Sequence, residues 1–192
     1  MGQGPGSCRA VARCCGGVLK IRVYGIGLSK TGTTSLNAAF ERLGLSTTHW
    51  PRLHQVLQLS ELDAITDIPV IPFYKVLEQI YPAAKFVLTV RDIDDWLESC
   101  KLHWEAHPAG SGVPTGKDLR RVFMYGIATF DKDVFRHVYG THHADVMWWF
   151  KDKMDKLLVM DICAGDGYEV LCPFLGMDVL DEPFPRKNRR KS

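Results

Sequence analysis

The chain has 192 residues, 46% hydrophobic and 24% charged, with a formal net charge of +2. That is long enough for one α/β domain with a real core, too short for two comfortable ones, and too apolar for wholesale disorder. So small a net charge gives no electrostatic reason to expect nucleic acid as a partner.

Residues 1–18 read as a flexible leader. Its apolar stretch is too short and interrupted for a secretory signal, and Gly6 stands where a myristoylation motif wants Ser or Thr. Cys14 and Cys15 are possible lipid attachment points, but a disordered tail is the simpler reading. The six cysteines have neither metal-type spacing nor disulfide density, which points to reduced thiols in a reducing compartment. No apolar run approaches the ~20 residues that span a bilayer, so a cytoplasmic location is expected. One domain over 19–185 and a basic tail over 186–192 complete the division; the sequence is silent on oligomeric state.

Within the domain, KIRVYGI (20–26) predicts a buried strand and Ser35–Gly44 a helix closed by a glycine. An extended piece at Thr47–Trp50, a helix from Pro51 to Leu59, a strand at Asp63–Asp67 and a helix over Phe73–Tyr81 follow. AKFVLTV (84–90) is the clearest strand, and Asp92 can cap the helix through DDWLESCKLHWEAH. PAGSGVPTG (108–116) reads as a loop. Two aromatic-rich helices over 117–138 and 142–155, a strand KLLVMDI (156–162) and a helix Gly167–Leu175 close the domain. Strands alternating with helices predict an α/β, doubly wound fold, with a central parallel sheet of about five strands and helices on both faces. Ligands of such sheets sit beyond the carboxyl ends of the strands.

The loop GLSKTGTTS (27–35) leaves the first strand at that edge. Free backbone N–H groups at a helix start bind anions, Gly27 and Gly32 allow tight turns, and Lys30 adds a full charge. In the usual nucleotide loop the lysine directly follows the second glycine. Here Thr33 holds that place and Lys30 precedes Gly32 by two residues. A Mg²⁺-dependent kinase would also want a carboxylate at a strand end. The best strand ends instead in Val90-Arg91, although Asp67 and Asp161 at other strand ends keep that reading open. Arg91 suits bidentate phosphate contact, and Ser99, eight residues on, offers a hydroxyl two helical turns along.

SKTGTTSL resembles the 5′-phosphosulfate loop of sulfotransferases, and the spacing from Arg91 to Ser99 resembles their 3′-phosphate motif. The likeness is to a compact, P-loop NTPase-like branch of that family. It extends to Asp67-Ile68-Pro69, to Leu171–Gly176 and to Phe184–Asn188, and so runs from about residue 20 to 188. What the resemblance implies is transfer of a sulfuryl group from 3′-phosphoadenosine 5′-phosphosulfate (PAPS) to a hydroxyl or amine of a small-molecule or glycan acceptor, with no metal. Ser29, Lys30, Thr31, Gly32, Thr33, Thr34 and Ser35 would hold the 5′-phosphosulfate, Lys30 acting catalytically as well. Arg91 and Ser99 would hold the 3′-phosphate.

Asp67, at a strand end, is the positional candidate for the base, with His49 and His54 as alternatives; His103 and His107 read as surface or capping residues, and His142 and His143 as a helix start. Arg186 and Lys187 either touch the nucleotide or are solvated. They lack the glycine that follows the basic pair in better-known cytosolic sulfotransferases. Two other readings remain beside the enzyme: a small-molecule or nucleotide kinase, and a non-catalytic nucleotide-binding protein of the same fold.

Overall fold

In the computed structural model, which describes residues 13–14, 17–18, 22–51, 61–68 and 70–187, the apolar runs become five short strands. These are β1 (Val23–Gly25), β2 (Thr47–His49), β3 (Ala64–Thr66), β4 (Lys85–Thr89) and β5 (Leu157–Met160). They form one all-parallel sheet in the order β2-β3-β1-β4-β5. The predicted doubly wound α/β fold is thus the observed one. The chain winds outward from β1 in both directions, so the end of β1 is the point where a crevice opens.

Strand alternation sends successive side chains to opposite faces. Val23, Ala64, Val87 and Met160 pack on one face against Leu36, Ala39 and Phe40 of α1 (Thr33–Arg42) and Leu171, Cys172 and Leu175 of α6 (Tyr168–Leu175). Tyr24, Ile65, Phe86 and Leu88 pack on the other against Tyr74 and Leu77 of α2 (Tyr74–Ile80) and Val146 and Phe150 of α5 (Lys132–Phe150). A third cluster joins α3 (Ile93–Ala106), α4 (Gly116–Tyr125) and the first half of α5 beyond the strand ends. It is mostly aromatic, with Trp96, Trp104, Tyr125 and Phe135 in contact. The opposite face of α3, with Asp95, Ser99 and His103, lines the cavity described below.

Asp92 caps α3 as predicted, its Oδ1 accepting from the N–H groups of Asp94 and Asp95 at 3.0 Å each. The helices predicted over 117–138 and 142–155 need correction. The break falls at residues 126–131, where Gly126 takes φ 78° and closes α4, and Asp131 opens α5 by accepting from Asp133 and Val134 at 3.0 Å each. These are ordinary stop and start signals. The predicted helix 51–59 falls largely on residues 52–60, and Pro69 and His54 are likewise outside the described residues, as is Asn188.

Because α5 runs unbroken, His142 and His143 lie mid-helix and not at its start. His142 Nε2 donates to the Ile26 carbonyl at 2.8 Å, and His143 packs on the Tyr139 ring. Burial pushes the His143 pKa down to about 4, against an ordinary value near 6.5. On acidification the unfolded chain therefore takes up this proton first, and stability present above about pH 6.5 drains away as the pH falls toward 4. His143→Gln is expected to remove about 2 kcal/mol of that loss, allowing for partial exposure of the ring. Thermal melts at neutral and acid pH measure it, and an unchanged pH slope would exclude His143 as a source.

Candidate functional site

Four segments converge at the end of β1. The loop itself is held from behind. Thr31, fully buried, donates its hydroxyl to the Leu28 carbonyl at 2.6 Å and shares a 2.6 Å hydrogen bond with the Thr89 hydroxyl. Its side chain thus fixes the loop onto β4 and does not line the cavity. Trp96 Nε1 donates to the Ser29 carbonyl at 2.9 Å. With those anchors set, Lys30 (φ 76°) and Gly32 (φ 104°) turn the chain through the left-handed region. The first-turn N–H groups of α1, which have no intrahelical acceptor, are thereby aimed outward.

Asp67 lies across from the loop, 3% exposed. Its Oδ1 accepts from the Ser29 hydroxyl and from the Ile68 N–H at 2.8 Å each, and its Oδ2 from the Thr33 hydroxyl at 3.1 Å. His49 Nε2 stands 3.8 Å from Oδ2, while its Nδ1 pairs with the Thr66 hydroxyl at 2.8 Å. Burial lowers the His49 pKa, with Asp67 opposing, so the ring is neutral at pH 7. Lys30, Trp50 and Asp67 are the non-glycine residues with positive φ among the described residues, and all three line the same cavity. Strain gathered in one place is a signature of a working site.

That cavity has a volume of about 680 Å³. Ser29, Lys30, Gly32, Thr33, Thr34 and Ser35 form one wall, and Arg91 and Ser99 form another. The Arg91 backbone is gripped by Tyr139, whose hydroxyl donates to the Arg91 carbonyl and accepts from its N–H. Arg91 Nη1 reaches the Lys30 carbonyl at 3.5 Å, and its buried Nε has no partner. The tail docks here as well. Lys187 N–H donates to Ser35 Oγ at 2.9 Å, and Arg186 Nη1 to the Ile162 carbonyl at 3.1 Å. Arg186 and Lys187 therefore line the cavity while remaining exposed.

A family model described as a sulfotransferase domain matches residues 22–58 and 54–192. The chain belongs to the sulfotransferase family. A curated relative, Ava biosynthesis cluster protein M of Aspergillus versicolor, is 29% identical over 86% of this chain and 80% of its own length. Among solved structures, a sulfotransferase from Alicyclobacillus acidocaldarius superposes with a TM-score of 0.57 at 15% identity, covering 91% of this chain and 87% of that one. Mouse sulfotransferase SULT7A1, complexed with PAP, gives 0.53 at 18% identity over 84% of this chain and 61% of its own. At those identities the structures speak for the fold alone.

Some lining residues of this sulfotransferase escaped the sequence reading. His103, taken there for a capping or surface residue, faces the cavity one turn beyond Ser99 on α3. The i, i+4 spacing already places the two on one face. Burial, then the charge of nearby Lys30, pushes the His103 pKa down to about 4, so the imidazole is neutral at pH 7. Trp50 and Cys163 also line the cavity, and neither carries a local motif. Among the described residues no helix is long and apolar enough to cross a membrane.

Proposed function

We propose that the protein transfers a sulfuryl group from PAPS to an acceptor. One observation carries this reading: the left-handed Lys30 loop, Arg91, Ser99 and the Arg186–Lys187 pair all line a single cavity. The residues fit such a donor. The cationic side chains Lys30, Arg91, Arg186 and Lys187 suit a multiply charged anion. The orphaned Arg91 Nε asks for an acceptor that a 3′-phosphate would supply.

In this reading Ser29 through Ser35 form the 5′ cradle. Gly32, Thr33, Thr34 and Ser35 face the donor and Thr31 fixes the loop's shape. Arg91 and Ser99 take the 3′-phosphate, with Arg186 and Lys187 closing over it. Lys30 stabilises charge growing on the leaving oxygen. Asp67, oriented by Ser29 and Thr33 and backed by His49, takes the acceptor proton. The PAP held by the mouse relative accords with this donor.

Calorimetric titration with 3′,5′-adenosine bisphosphate (PAP), beside Mg²⁺–ATP, tests the assignment. Metal-independent PAP binding is expected, weakened roughly tenfold to a hundredfold by Arg91→Ala through loss of charged hydrogen bonds. Binding of Mg²⁺–ATP alone would replace the reading with a kinase.

A further inference from the structure

A second cavity of about 370 Å³ adjoins the first, and Ser29, Trp50, His103 and His107 line both. Its remaining walls are Ile68, Trp104 and Tyr125, with Lys117 and Arg121 as the charged members. No Asp or Glu is among the lining residues.

Arg121 is the unusual one. It is 2% exposed, its guanidinium lies 4.6 Å above the Trp104 ring, and Nη1 donates to the His107 carbonyl at 2.8 Å. Its buried Nη2 has no partner, and Asp118 attracts the guanidinium without forming an ion pair with it. Asp118, one turn back, gives its Oδ2 to the N–H and hydroxyl of Thr115 instead. A second donor in this wall, Trp104 Nε1, is also buried and unpartnered, and the Tyr125 hydroxyl faces Ser29. Burial holds the Tyr125 phenol protonated, its pKa raised well above the ordinary value. A desolvated cation whose neighbouring carboxylate is engaged elsewhere is unfavourable, and unpaired buried donors around one hollow call for an acceptor.

We propose that this second cavity is the acceptor site, and that it selects small aromatic hydroxyl compounds carrying a carboxylate, which Arg121 anchors. The proposal rests on the donor reading above. Its size is that of a small-molecule pocket and its aromatic walls suit a flat ring, which favours a small molecule over a glycan chain. With the carboxylate drawn toward Arg121, the hydroxyl extends over the shared wall at Ser29, whose Oγ is bonded to Asp67. There the acceptor oxygen forms its bond to sulfur as the bond from sulfur to the 5′-phosphate oxygen breaks. The hydroxyl proton passes to Asp67, and the leaving group departs as PAP, with no change of oxidation state.

The test is titration of PAP-saturated and PAP-free protein with para-hydroxybenzoate, para-hydroxyphenylacetate and para-hydroxyphenylpropionate, each beside its neutral amide. Quenching of tryptophan fluorescence reads binding, since Trp50 and Trp104 line the cavity. At least one acid is expected to bind tenfold or more tightly than its amide. Arg121→Met should erase that preference without altering PAP affinity, and Arg121→Lys should keep part of it. Equal binding of every acid and amide, or no binding of any acid, overturns the proposal, as does a preference that survives in Arg121→Met. If Arg121→Met does not fold, a preference undiminished in Arg121→Lys overturns it equally. Loss of PAP binding by the wild-type protein would sink the donor reading instead, while the PAP-free titration still reads this pocket.

Discussion

Gly27→Ala is expected to destabilise the protein by about 3 kcal/mol or more and to abolish PAP binding in whatever folded fraction survives. A Cβ at position 27 would stand 2.0 Å from Thr89 Oγ1, 2.5 Å from the Thr89 carbonyl oxygen and 2.7 Å from the Thr89 nitrogen. Rotating the Thr89 hydroxyl away relieves only the first contact and breaks the hydrogen bond that holds Thr31. The other two are backbone atoms of β4. They cannot retreat without disturbing the pairing of Thr89 with Met160 and the bond from Val90 N–H to the Met160 carbonyl. The glycine is therefore required for close approach of the loop to the neighbouring strand. Its loss would reach the site through Thr31 and Lys30. Chemical denaturation and PAP calorimetry on the same sample measure the two effects, and a variant as stable as the parent would show that the loop rests elsewhere. Gly112, where an added Cβ meets nothing within 4 Å, is a contrasting position on the surface.

What could be read in the sequence was what lies close together along the chain. The loop at 27–35 is contiguous, and Arg91 with Ser99 occupies one strand end and the helix that follows, so their spacing, read beside the first loop and the family resemblance, brought them to one edge. Asp92 gave its cap away for the same reason. The helix break at Gly126 was also legible, but the run of aromatics on either side outweighed a glycine and an aspartate that in fact govern the backbone there. The tail was legible only by resemblance, and there as an open alternative. Its docking depends on a hydrogen bond between residues 152 apart, which no local pattern encodes. The second cavity is in the same position. Its donors come from α3 and α4, and their lack of partners is visible only once both helices are packed. Asp67 illustrates the limit from the other side. Its place at a strand end was readable, but not that three donors would fix both of its oxygens.

Lys30→Met is expected to lower the turnover number by about two to three orders of magnitude while the fold stays intact. Lys30 lines an open cavity, so removing its ammonium leaves the packing of the core unchanged. The methionine keeps the length of the stem and enters the same left-handed backbone, already accommodated at φ 76°. The charge is needed chiefly where negative charge collects on the leaving oxygen, and an interaction that strengthens only in the transition state is felt in kcat. In the proposed reading Arg91 and Ser99 grip the far end of the donor, away from the bond that breaks. Removing Arg91 should therefore weaken donor binding and raise KM, with a much smaller effect on kcat. Arg91 Nη1 also rests 3.5 Å from the Lys30 carbonyl, so the two groups share a backbone segment and the double variant should lose less than the two single losses added together. Steady-state kinetics on the two single variants and the double variant separate these effects. A Lys30→Met enzyme within threefold of the parent kcat would move the charge stabilisation off Lys30. The cations that remain on the cavity wall, Arg186 and Lys187, would then be the groups to test.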